Sequence, residues 1–252
     1  MAYSNISHHI PCYEIITENA LWAIKKDDDL LGYALHCLYI AAILDLPSDD
    51  RGRCEFIDYG RRCYMHNDII QQIDKFENEY QAIKAIEWYT QTSGFPNRFV
   101  NETCRTLSMA RFFKIRYYLK NIHIQLEKLH SDTVNWVPPV LPVYRGEVVS
   151  LELHQKLSAN VGQRFLTTAF LSTTCSRKVA DMFCASDQDQ HQVESDKVSV
   201  IYTILISTKT TQQKAFVDIQ DHSTKKYEYE ILMPIGTLLQ SLAMRKREAS
   251  GP

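Results

Sequence analysis

The hydrophobic period of the chain changes partway along, and this limits its fold more than any other feature. Between residues 66 and 130, Ile69, Ile73, Phe76, Tyr80 and Ile83 recur in steps of four and three. Asp68, Asp74, Lys75, Glu77, Glu79 and Lys84 fill the other sides, the pattern of an amphipathic helix. Ser93-Gly94-Phe95-Pro96 breaks it, and a shorter helix is expected up to Thr106. Phe112, Ile115, Leu119, Ile122, Leu126 and Leu129 mark a further helix, and Phe113, Tyr117, Tyr118 and Ile124 predict that it is covered on more than one side. The aromatic residues of this half read as core packing. Residues 131–142 form a connector stiffened by Pro138, Pro139 and Pro142. Beyond it, 143–148, 165–174, 198–206, 215–219, 227–233 and 236–243 read as strand-like, with helices at 150–159 and 176–185 and a polar stretch from Ser186 to Lys197. Helices followed mostly by strands predict an α+β fold rather than an alternating α/β one.

The first 65 residues are the least legible. A helix is expected from Asp29 to Leu46, stopping at Pro47, and 48–62 reads as a charged loop. Residues 1–65 are therefore treated as a partly helical N-terminal extension. The main domain is placed at 66–243, with a helical lobe at 66–130, a β-rich core at 143–243, and a charged tail at 244–252. The uncharged run from Leu30 to Leu44 contains His36 and is short for a membrane span, so it reads as a buried helix.

Several function classes are excluded. No two of the eight glycines lie closer than eight residues, so no dinucleotide fingerprint, Walker loop or glycine-flanked serine elbow can be written. A nucleotide would have to bind without a glycine-rich phosphate cradle. The seven cysteines contain no C-x-x-C pair and read as reduced buried thiols, with no metal site expected. A net charge of −2 gives no basic footprint for nucleic acid or anionic lipid. The N-terminus has no basic region followed by an apolar run, so no secretory signal is read, no membrane partner is expected, and the expected location is intracellular. Sequons at Asn5 and Asn101 mean little in that setting.

Three short motifs stand out in the β-rich half. They are Tyr144-Arg145-Gly146, Phe170-Leu171-Ser172-Thr173-Thr174 and Glu228-Tyr229-Glu230-Ile231-Leu232. In a strand, residues two apart share a face, so Glu228 and Glu230 are expected to point one way and Tyr229 and Ile231 toward the core. Two neighbouring carboxylates raise the proton affinity of at least one of them. Such a pair can stabilise a cationic centre and handle a proton. Each motif alone also fits an ordinary half-exposed strand with a solvated polar edge.

Their order and context resemble the arginine-specific mono-ADP-ribosyltransferases of the Arg-Ser-Glu class. Ala85-Ile86-Glu87-Trp88-Tyr89-Thr90, then Asn101 and Arg105 in Val-Asn-Glu-Thr-Cys-Arg, are similar to the helices that precede the catalytic strands in that family. Ala180 to Phe183 and Ala215-Phe216-Val217-Asp218-Ile219 are also similar to family segments. The resemblance spans about residues 66–243. It implies an ADP-ribosyltransferase fold, with a helical lobe followed by two small, roughly perpendicular β-sheets around an NAD cleft. It also implies NAD as co-substrate, with NADP an alternative, and an arginine-containing protein acceptor.

The resemblance carries roles to individual residues. Glu230 matches the glutamate that holds the ribose hydroxyl and opposes the ribosyl cation. Ser172 matches the serine that supports NAD and orients that glutamate. Arg145 matches the arginine that grips the dinucleotide, Gly146 gives backbone access to the nicotinamide amide, and Asn101 and Arg105 reach the phosphates. Glu228 matches the position that receives the acceptor guanidinium. Thr174 stands where many relatives have serine, keeping the hydroxyl. The loop Gln220 to Lys226 has no aromatic residue, although Tyr227 follows it. Two other readings use the same residues: an NAD glycohydrolase with water as acceptor, and an inactive NAD-binding interaction module.

Overall fold

The computed structural model describes residues 21–24, 27–91, 95–106, 108–159, 161–162, 164–185, 197–208, 215–240 and 242. The polar stretch 186–196, the tail 244–252, Asn5 and Cys12 lie outside these residues. In chain order the elements are β1 (Leu21–Ile24), α1 (Asp27–Asp45), α2 (Asp50–Cys63), α3 (Asn67–Glu79), a 3-10 turn (Ala82–Lys84), α4 (Ala85–Thr90), α5 (Asn97–Arg105) and α6 (Met109–Trp136). Then follow β2 (Val140–Ser150), α7 (Leu151–Ala159), β3 (Arg164–Thr167), β4 (Leu171–Thr174), α8 (Arg177–Ala185), β5 (Lys197–Ser207), β6 (Val217–Asp218), a 3-10 turn (Lys226–Glu228), β7 (Glu230–Met233) and β8 (Leu238–Gln240). The architecture is α+β, as the change of period predicts.

The helices pack around α6. Tyr118, Phe112, Ile115, Leu119, Ile122 and Leu126 are buried along it. Phe113 and Ile124 are exposed, so α6 is covered over a wide stripe rather than all round. The helix also runs through Trp136, six residues into the expected connector, and the chain becomes a strand at Val140. Tyr80 ends α3 in an extended conformation, which takes Ile83 off the predicted stripe and leaves it 70% exposed.

Residues 48–62, expected as a loop, form most of α2. Asp49 caps its N-terminus, accepting from the Gly52 N–H at 2.8 Å, and Arg61 and Arg62 suit the negative end of its last turn. Phe56 is fully buried against Phe76, Phe95, Phe99 and Tyr118, with ring centroids 5.0–5.6 Å apart. Of the two glycines that weaken the helical signal, Gly60 makes room for this cluster and Gly52 for Asp49 and α6. A Cβ at Gly60 would sit 2.7 Å from the Phe95 ring. Ile40 and Ile43 of α1 join the same core, while Leu35 and Leu38 are exposed, so α1 is buried on one side only. No helix among the described residues is long and apolar enough to cross a membrane.

The strands form two antiparallel sheets, β1-β3-β8 and β5-β2-β4-β7-β6. The single strand expected over 165–174 is two strands, one in each sheet, parted at Thr168 to Phe170. In the larger sheet β2, β4 and β7 are neighbours, and these strands carry the three sequence motifs.

Candidate active site

Arg145, Gly146, Ser172, Glu228, Glu230, Asn101 and Arg105 all line one cleft of about 340 Å³. Residues up to 129 positions apart in sequence thus meet, because β2, β4 and β7 lie side by side and α4 and α5 close the opposite wall.

The strand register sets the centre of the cleft. Thr174 faces Glu230 and Ser172 faces Leu232 across the β4–β7 ladder. Ser172 and Glu230 are therefore diagonal neighbours, close enough for side chains to meet. The Ser172 side chain lies beside the Glu230 carboxylate. Glu230 is 6% exposed. Burial raises its pKa, and the nearby charge of Glu228 adds to this. The neighbouring Ser172 hydroxyl, Lys225 and Arg145 pull the other way.

Glu228 reaches the cleft by another route than the one expected. It belongs to a 3-10 turn, not to a strand shared with Glu230. Tyr229 between them is left-handed, with φ 49° and ψ 50°. This turn, rather than strand alternation, lets both carboxyl groups face the cleft. It also sends the Tyr229 ring outward, 49% exposed, instead of into the core. The Glu228 carboxylate meets Lys225 Nζ at 3.1 Å.

Arg145 donates from Nη1 to the Ser172 carbonyl at 3.0 Å and from Nη2 to Glu147 Oε1 at 3.4 Å. Its Nε is buried without a protein partner, as is the Nε of Arg105. Two guanidinium groups lining one cleft suit an anion such as a diphosphate, which accepts several charge-assisted bonds. Gly146 faces the other way, onto α8. A Cβ there would lie 1.8 Å from the Ala180 carbonyl oxygen, so glycine is required by the close approach of helix and strand.

Asn101 lines the cleft, but its amide is engaged. Nδ2 donates to the Tyr89 hydroxyl at 3.0 Å and to Asn97 Oδ1 at 3.2 Å. Asn97 in turn donates to the Tyr89 carbonyl at 2.6 Å. Tyr89 is 3% exposed, and its ring meets Phe170 edge-on, with centroids 5.3 Å apart. Burial pushes its phenol well above the ordinary range. Sequence reasoning assigned no role to Tyr89, Asn97, Glu147 or Lys225. Tyr89 lay in a stretch singled out beforehand, and Lys225 lay in the loop Gln220 to Lys226 noted for lacking an aromatic residue.

Cys104 and Cys184 are buried, whereas Cys54, Cys63 and Cys175 are exposed, so buried thiols describe only part of the set. No cluster of His, Cys, Asp and Glu able to hold a metal occurs among the described residues.

No protein-family model matches the chain, and no curated protein matches it. Among solved structures, it is similar to the ADP-ribosyltransferase HopU1 of Pseudomonas syringae pv. Tomato DC3000, at 18% identity over 74% of this chain and 88% of that one, with a TM-score of 0.46. It is similar to the ADP-ribosyltransferase Vis of Vibrio splendidus bound to the inhibitor M6, at 17% identity over 81% and 83%, with a TM-score of 0.46. It is also similar to the eucaryotic mono-ADP-ribosyltransferase ART2.2, at 13% identity over 90% and 87%, with a TM-score of 0.38.

Proposed function

We propose that this chain transfers ADP-ribose from NAD to arginine side chains of a protein acceptor, releasing nicotinamide. The observation that carries the reading is the buried Glu230, which shares one cleft with Ser172 and with the guanidinium groups of Arg145 and Arg105. The order of the three sequence motifs supports it.

Breaking the bond between ribose and nicotinamide leaves positive charge on the sugar, as in glycoside cleavage. Glu230 stabilises that charge more than it stabilises the neutral sugar, and this difference lowers the barrier. Its low exposure keeps water from weakening the effect. Ser172 holds Arg145 through its carbonyl and places its hydroxyl beside the Glu230 carboxylate, so one residue stands between both charges. Arg145 and Arg105 grip the diphosphate. Glu228 accepts from the incoming guanidinium and takes its proton as the new carbon–nitrogen bond forms.

A second reading, NAD hydrolysis with water as acceptor, draws on the Lys225–Glu228 ion pair, which occupies the acceptor carboxylate in the free protein. Nicotinamide release measured with and without agmatine tests both. Labelled agmatine supports transfer; release without agmatine labelling supports hydrolysis. Absence of release under every condition overturns both.

A further inference from the structure

We propose that Lys225 is a specificity-determining residue, whose ammonium holds the position on Glu228 that an acceptor guanidinium must take. This rests on the arginine-transfer reading above.

The geometry is that of a built-in stand-in. Lys225 Nζ lies 3.1 Å from Glu228 Oε1, with side-chain exposures of 28% and 15%, and both residues line the cleft. The backbone under Lys225 is fixed. Its N–H donates to Ser223 Oγ at 3.0 Å, and its carbonyl accepts from the Glu228 N–H at 3.0 Å. Ser223 is buried, and its own N–H bonds the Ile219 carbonyl at 2.7 Å. Thr224, one residue earlier, is tied to Thr90 at both its N–H and its hydroxyl, at 3.1 and 3.0 Å. Only the flexible side chain has to swing to free Glu228. The other cation beside the carboxylates, Arg145, is turned to Ser172 and Glu147.

Chemistry decides which acceptor can displace it. Lys225 bonds one oxygen of Glu228 as a compact point charge. A guanidinium presents a planar fork that bonds both oxygens of a carboxylate, so it competes with an ammonium already in place. A primary amine offers the same bond that Lys225 makes and gains nothing by exchange. The residue therefore selects guanidinium acceptors over amines.

The test uses the full chain with agmatine and putrescine, which share a four-carbon stem but end in guanidinium and amine. Lys225→Met and Lys225→Gln should lower KM for agmatine about three- to fivefold, the worth of one partly exposed ion pair. They should reduce the preference for agmatine over putrescine. Lys225→Arg, which restores the pairing, should keep a high KM. Calorimetric titration with agmatine should show the same gain in affinity, and no gain when Lys225→Met is placed on Glu228→Gln. Thermal unfolding checks that each variant is folded. An unchanged KM in both neutral variants, or an equal gain in the Glu228→Gln background, overturns the proposal while leaving arginine transfer standing. If nicotinamide is released but no form of the protein modifies agmatine, the arginine reading fails and this proposal is overturned with it.

Discussion

The Thr174 hydroxyl donates to the backbone carbonyl of Glu228 at 2.6 Å, and it accepts from the Ser176 N–H at 3.0 Å. The last residue of the serine motif thus pins the turn that carries Glu228. Thr174→Ser keeps both bonds, whereas Thr174→Val leaves a part-buried carbonyl without its partner, at a cost of about 1–2 kcal/mol. Arginine transfer by the valine variant should fall roughly tenfold, the effect of about 1.4 kcal/mol on a barrier. Hydrolysis should fall less, because Glu230 is held by β7 itself. Parallel agmatine-labelling and nicotinamide-release rates for the two variants measure this.

The two glutamates should separate by function. Glu230 opposes the ribosyl cation in every reaction that cleaves NAD, and loss of one preorganised electrostatic contact costs about 100- to 1,000-fold in turnover. Glu230→Gln should abolish both hydrolysis and transfer. Glu228 acts on the acceptor alone, so Glu228→Gln should suppress agmatine labelling and leave appreciable nicotinamide release. Agmatine labelling by Glu228→Gln at the wild-type rate would remove the acceptor-activating role.

Gly146 has no room for a side chain. The atom a Cβ would meet is a backbone carbonyl of α8, 1.8 Å away, which cannot rotate aside as a side chain would. Gly146→Ala should cost about 3 kcal/mol as an overpacking change. At this chain length that is a fall in Tm of roughly 6–12 °C, read by calorimetry. A variant with the wild-type Tm would show that α8 does not lie against β2 as described.

Glu230 should make both stability and activity depend on pH. Its folded-state pKa is raised above the ordinary value of 4.5, mainly by burial. Between the two values the folded chain holds a proton that the unfolded chain has lost, so this group makes stability fall as pH rises through that window. Glu230→Gln removes the titration. It should be more stable than wild type above the raised pKa and should lose that advantage below about pH 4.5. Turnover needs the ionised carboxylate, so the acid limb of nicotinamide release should lie above pH 4.5. Unfolding temperatures across pH and a pH–rate profile check the two halves.

The candidate site was legible as three short motifs. They single out Arg145, Ser172 and Glu230, and neighbouring strands bring these residues to one cleft. The route of Glu228 was not legible, because nothing in Glu-Tyr-Glu announces a left-handed tyrosine between the carboxylates. The helical half was read from its period, which works where one stripe is buried. It failed at α2, where two glycines and a high charge mask a helix whose buried side includes Phe56 and Ile57. Lys225 escaped notice because a lysine in a polar loop is indistinguishable in sequence from Lys226 beside it. The fold gives one of them a carboxylate partner and leaves the other exposed.

The paired bonds between Thr224 and Thr90 join residues 134 apart in sequence. Thr90 is the last residue of α4, and Thr224 lies four residues before Glu228. Across these two bonds the loop that leads to Glu228 is tied to the helical half, while the Thr174 hydroxyl ties the Glu228 carbonyl to the sheet. The turn that carries Glu228 is therefore held from two sides, by α4 through Thr90 and by β4 through Thr174, and helices and sheet meet beneath one carboxylate.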